Sequence, residues 1–96
     1  GLLTEGPILS QLQLPASDVF VLELEVLEGS LVTQSSLLEA ELPVGVLVAA
    51  VLQEDYVRVP AASDCLQAGN TALVLAREEH IAAVKQAFSS SSGLDS

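Results

Sequence analysis

The stretch VLVAAVLQEDYVRVP, Val46 to Pro60, decides how this chain folds. From Val46 to Leu52 every residue is aliphatic, with no polar position in between. Such a run reads as a central strand covered on both faces, not as one with a wet side. Gln53, Glu54 and Asp55 break it, and YVRVP then returns with Val57 and Val59 facing one way and Tyr56 and Arg58 the other. The segment therefore predicts a β-hairpin, although a Glu-Asp loop signals one more weakly than Asn-Gly.

Upstream, VFVLELEV alternates: Phe20, Leu22, Leu24 and Val26 share one face, Glu23 and Glu25 the other, as a half-buried strand requires. Gly29 and Ser30 end it. Ser36 and Glu39 have the spacing of a capping box, so a short helix is expected with Leu37, Leu38 and Leu42 on its apolar side, stopped by Pro43 and Gly45. Downstream, Gly69-Asn70 marks a turn, TALVLA from Thr71 to Ala76 a further strand, and Glu78 the start of a closing helix. Ile81, Val84 and Phe88 lie on one side of that helix, with Glu78 and Glu79 at its positive end and Lys85 towards its negative end. The expected fold is α+β: a small mixed or antiparallel sheet of about four strands with two helices.

Residues 19–88 carry this pattern as one domain. Residues 1–18, with Pro7, Pro15 and scattered leucines, read as a linker or N-terminal extension, either a short helix or an extended segment. Residues 89–96 are serine-rich and read as a disordered tail. The start at Gly1 and the SSSSGLDS end look like artificial ends, or those of a piece excised from something longer.

Composition narrows the function. The chain has 96 residues, half of them hydrophobic, with Phe20, Tyr56 and Phe88 its only aromatics, so the core must be aliphatic. Thirteen acids face Arg58, Arg77 and Lys85, a formal charge of −10. Clustered cations, the footprint of nucleic acid binding or of contact with anionic lipid, are missing. The aliphatic segment Val44 to Leu52 falls far short of the roughly 20 residues needed to cross a bilayer. A lone Cys65 allows no intrachain disulfide and suits a reducing compartment.

The order of these pieces resembles one family. LELEVLEGSLV, LLEAELPVGVLVAAVLQEDYVRVP, LQAGNTALVLA and the helix from Glu78 to Phe88 together are similar to the C-terminal domain of the regulators of potassium conductance, the TrkA-C or RCK-C domain. That resemblance implies a non-enzymatic cytoplasmic module of potassium channels, uptake gating rings, cation/proton antiporters or related transporters at the inner or plasma membrane. It also implies a homodimer and, as in some members, a cyclic dinucleotide such as cyclic di-adenosine monophosphate bound between two copies. The hairpin would lie in or beside that cleft, with Gln53, Tyr56, Arg58 and Pro60 as candidate ligand contacts. Three departures stand out: Thr33-Gln34 in place of Gly-Lys or Gly-Arg after Val32, Gln53 in place of an Arg, and Asn70 in place of the Asp of an Ala-Gly-Asp turn. Gln53 matters most, because it offers phosphate no charged fork.

Against the ligand reading, Arg58 can equally be a surface residue paired with Glu54 or Asp55. A purely structural dimerisation module and a small-molecule-binding domain of the ACT type are the alternatives, the latter disfavoured because a serine tail follows Phe88 where that fold has a strand. Glu23, Glu25 and Glu28, or Glu39 with Glu41, read as wet surface, since a hard cation needs about six converging oxygens. His80 has no Cys or His at ligand spacing, and neither it nor Cys65 sits in a recognisable nucleophile frame, so neither a metal site nor an enzyme is expected.

Overall fold

A computed structural model describes residues 6–90. Strands β1 (Ile8–Gln13), β2 (Val19–Glu25), β3 (Val46–Gln53), β4 (Tyr56–Arg58) and β5 (Thr71–Arg77) form one sheet in the order β1-β2-β5-β3-β4, and every neighbouring pair is antiparallel. Helix α1 (Leu31–Gln34) lies between β2 and β3, and a 3-10 turn over Glu78–His80 leads into α2 (Ile81–Phe88). The α+β class holds, with one strand more than the sequence pattern suggests.

The alternation in β2 sets the core. Leu22 and Leu24 face the same side as Val74 and Ala72 opposite them on β5, and Val48 and Val51 of β3 continue the row. Over this side pack Val84, Ala87 and Phe88 of α2, Val32 of α1, and Leu66 from the loop after β4. Each fully buried Leu, Val or Phe contributes roughly 1.5–3 kcal/mol relative to leaving it in water. The closing helix behaves as its pattern requires, with Val84 and Phe88 fully buried and Ile81 packed against the core.

Four details differ from the sequence reading. Residues 8–13, read as lying outside the domain, pair with β2 as an edge strand, closed by a hydrogen bond from the Leu14 N–H to the Val19 carbonyl. An edge strand needs little apolar alternation, which is why ILSQLQ does not advertise itself.

The second concerns the helix expected from Ser36. The capping box forms, with the Ser36 N–H donating to Glu39 Oε1 and the Glu39 N–H to Ser36 Oγ, both at 3.1 Å. It closes only one turn, because Glu41 adopts a left-handed φ of 52° and Pro43 follows. The α-helix of this region is α1, a single turn immediately upstream.

Third, β5 is the central strand, while β3 lies between it and β4 and is covered on one face only: Leu47 is 59 % exposed. A register shift between Val48 and Ala50 lets Val48 and Val51, three residues apart, both face the core. Fourth, the closing helix begins as the 3-10 turn, anchored where the Glu78 N–H donates to the Asp18 carbonyl at 2.8 Å. Of the serine tail, residues 91–96 lie outside the described residues.

Candidate functional site

The two-residue loop Glu54–Asp55 joins β3 to β4 with Gln53 opposite Tyr56 and Val51 opposite Arg58. Glu54 adopts a positive φ of 48°, which a tight hairpin loop imposes and which a residue with a Cβ resists. Directly opposed residues share a face, so Arg58 and Gln53 lie on the side of buried Val51, that is, the covered side of the sheet. Val57 lies on the opposite side, beside Leu52.

The fold brings Gln53 and Arg58 into contact: Arg58 Nε donates to Gln53 Oε1 at 3.1 Å. It also gives Arg58 a partner in Asp64, whose Oδ2 accepts from Nη1 at 3.1 Å and from the Ala61 N–H at 2.8 Å. The Ala61 N–H first, and then the guanidinium, hold the Asp64 carboxyl below the ordinary carboxylate range. The ion pair ties β4 to the loop that follows it. Its side chains are 31 % and 35 % exposed, so water screens the pair and its net contribution is small.

Tyr56 is an exposed residue on the same strand, and Pro60 is half-buried where the chain leaves β4. Of the four candidate contacts, Pro60 lines a groove of about 790 Å3 bounded also by Leu37, Leu42 and Val46 to Val48. A second cavity of about 690 Å3, which shares Glu41 and Leu42 with that groove, lies between the Ala40–Pro43 turn and α2, with Lys85 as its cation.

The partner expected for Arg58 was Glu54 or Asp55; the structure supplies Asp64. The sequence does hold a signal, since Asp64 is the sole acid between Asp55 and Glu78. The Asn70 turn keeps its backbone geometry, with Gly69 at φ 94° and both Gly69 and Asn70 exchanging backbone hydrogen bonds with Val26. The Asn70 side-chain nitrogen, however, is buried without a partner, an orphan donor that an Asp would not carry.

Among the described residues no three of His, Cys, Asp and Glu converge as a metal site, and no helix is long and apolar enough to cross a membrane. Cys65 is exposed, and His80 Nε2 lies 3.7 Å from Glu79 Oε2. No family model matches the chain, and neither does any curated protein.

Proposed function

We propose that the chain is a ligand-sensing, dimerising regulatory domain of the TrkA-C kind, working without catalysis on the cytoplasmic side of a potassium or other cation transporter, channel or antiporter. The observation that carries this reading is the hairpin. Gln53 and Arg58 meet at the sheet edge, with Tyr56 on the same strand face, and the Arg58 Nη2 group has no partner among the described residues. A phosphate from a cyclic dinucleotide is the ligand that suits a guanidinium beside an aromatic ring.

Such an anion competes with Asp64 for Arg58. Because Asp64 also holds the Ala61 N–H, displacing it loosens the start of the loop from Ala61 to Leu66, whose far end stays fixed by the Leu66 N–H donating to the Val32 carbonyl and by Leu66 in the core. Ligand arrival is thereby coupled to the layer over the sheet, and the equilibrium between two arrangements shifts by as much as the ligand's affinities for them differ.

The test is calorimetric titration of the domain with cyclic di-adenosine monophosphate at low and physiological salt, with the oligomeric mass measured in the same buffer. Saturable binding, lost in Arg58→Ala with the fold intact, is expected. Unchanged affinity in Arg58→Ala moves the site elsewhere. One observation favours a second reading, a structural dimerisation module without ligand: Asp64 already neutralises Arg58 in a chain of net charge −10. Absence of binding by a stable dimer selects that reading.

A further inference from the structure

Half of the sheet's side chains face away from the helices, and on that side Leu12, Leu47 and Val57 are exposed while Val21, Leu73 and Leu75 between them are half-buried. There Leu47 stands opposite Leu75 and Ala50 opposite Leu73. Val21 lies beside Leu75 on β2, Leu12 beside Val21 on β1, and Val57 beside Leu52 on β4. An apolar band therefore crosses all five strands, and in it Leu12, Leu47 and Val57 are 64 %, 59 % and 61 % exposed. An antiparallel sheet with one wet face turns polar residues outward, whereas β3 and β5 carry the pattern of strands buried on both faces.

We infer that this open face is the interface between two copies of the chain, stacked sheet on sheet with their strands antiparallel. Size is one argument for a second copy. With strands about 4.8 Å apart and about 3.3 Å per residue, the face projects on the order of 450 Å2. Two such faces in contact bury on the order of 1,000 Å2, the lower bound of a specific interface. A surface that meets itself across a two-fold axis needs no other partner to be covered.

Charge is the other argument, and it selects the orientation. Along the strands the band ends at Glu25, with Glu23 just inside it beside Leu73, and at the other end at Arg77, which stands opposite Val19. Arg77 contacts Asp18 at 3.2 Å and Glu79 at 4.0 Å, yet its side chain stays 54 % exposed, and a guanidinium has donors to spare. A two-fold axis running across the strands lays each glutamate end over the other copy's Arg77. An axis along the strands would instead reverse the strand order and lay β2 over β3, so that the glutamates meet the Glu54–Asp55 end of the other copy's β3 and not its Arg77, which costs affinity. Aligned packing of two sheets about 10 Å apart accommodates the antiparallel arrangement. The middle is then mainly apolar, with Glu23, beside Leu73 and accepting a hydrogen bond from Ser10 Oγ, as the acid within it, so most of the repulsion between two acidic chains falls at the rim.

This inference shares with the proposed function only the expectation of two copies, and it names the surface through which they meet. Arg58 lies on the covered side, outside this interface, so failure of ligand binding and failure of pairing are separate results.

The experiment is sedimentation equilibrium of the full chain over a wide concentration range, on the parent and on variants of the open face. A reversible dimer is expected, with Leu75→Asp raising its dissociation constant by at least about thirtyfold, the loss typical of a central contact. Circular dichroism checks the fold of that variant, and Leu47→Lys, at a well-exposed position, repeats the test should Leu75→Asp fail to fold. Glu23→Gln with Glu25→Gln is expected to weaken the dimer, while the control Glu28→Gln with Glu41→Gln, off the face, tightens it slightly by lowering net charge. A monomer at every concentration, or a dimer indifferent to both Leu75→Asp and Leu47→Lys, overturns the interface. A dimer tightened by the Glu23 and Glu25 changes beyond the control overturns the antiparallel orientation.

Discussion

The two faces of the sheet are built from the same residue types but differ in what covers them. On the helix side Leu22, Leu24, Val51 and Val74 are fully buried; on the other, Leu12, Leu47 and Val57 are more than half exposed. Alternation in β2 distinguishes the faces, because Glu23 and Glu25 mark the outer side. In β3 and β5 it does not, because both sides are aliphatic. Apolarity in a strand thus reports that a face is meant to be covered, while the identity of the cover lies elsewhere in the chain or in another molecule.

The largest effect expected from this contrast is at Leu22. Leu22→Ala should destabilise the domain by ~2–5 kcal/mol at any protein concentration, since the cavity lies in a closed core. Leu47→Ala removes a similar side chain from the open face. In dilute solution its cost should stay within about 0.5 kcal/mol, the range of ordinary surface changes, and should grow with concentration as pairing becomes populated. Urea melts at two widely separated concentrations measure both. Equal costs for the two variants in dilute solution would mean that the open face is already covered within a single chain.

Much of the fold was legible, and each illegible part has a physical cause. The β3–β4 hairpin, β2, β5 and the closing helix follow from periodicity, which the core enforces on any element it buries. β1 escaped because an edge strand has one paired neighbour and weak demands on its side chains. The single turn after Ser36 reads as a helix because the capping box specifies only how a helix begins. How far it runs was decided at Glu41 and Pro43. For the candidate site, the strand face of Arg58 was readable from the two-residue period, but its partner was not. Asp64 reaches Arg58 from a loop whose path depends on Leu66 entering the core and on the Leu37 N–H donating to the Asp64 carbonyl, contacts that no local pattern encodes.

The helix-side layer contains a smaller contrast, between two serines. Ser36 Oγ accepts the Glu39 N–H, and Ser36→Ala should cost about 1 kcal/mol by removing half of the capping box. Ser30 precedes α1 at the position of a cap, yet its side chain makes no capping bond, and its Oγ is buried without a partner. Ser30→Ala should therefore be neutral or slightly stabilising, because it deletes an unsatisfied polar atom where little volume is lost. Chemical denaturation of the two variants side by side measures the difference. A comparable loss at Ser30 would indicate that its hydroxyl binds an ordered water.

The smallest expected effect is the pH response of the loop after β4, and its sign follows from Asp64. The Ala61 N–H and Arg58 favour the ionised carboxylate, so the folded pKa lies below that of the unfolded chain. Its contribution is complete above the unfolded value of about 3.9 and fades as pH falls through the lower folded value. Asp64→Asn removes this titration and keeps an oxygen that can accept from the Ala61 N–H, but gives Arg58 no counter-charge. The parent should lose part of its stability advantage over Asp64→Asn as pH falls below the normal carboxylate range, while the sheet core responds identically in both. Amide exchange of Ala61 localises the effect: if Ala61 loses its protection above pH 5 in the parent, the latch between β4 and its loop is held by something other than the Asp64 carboxylate.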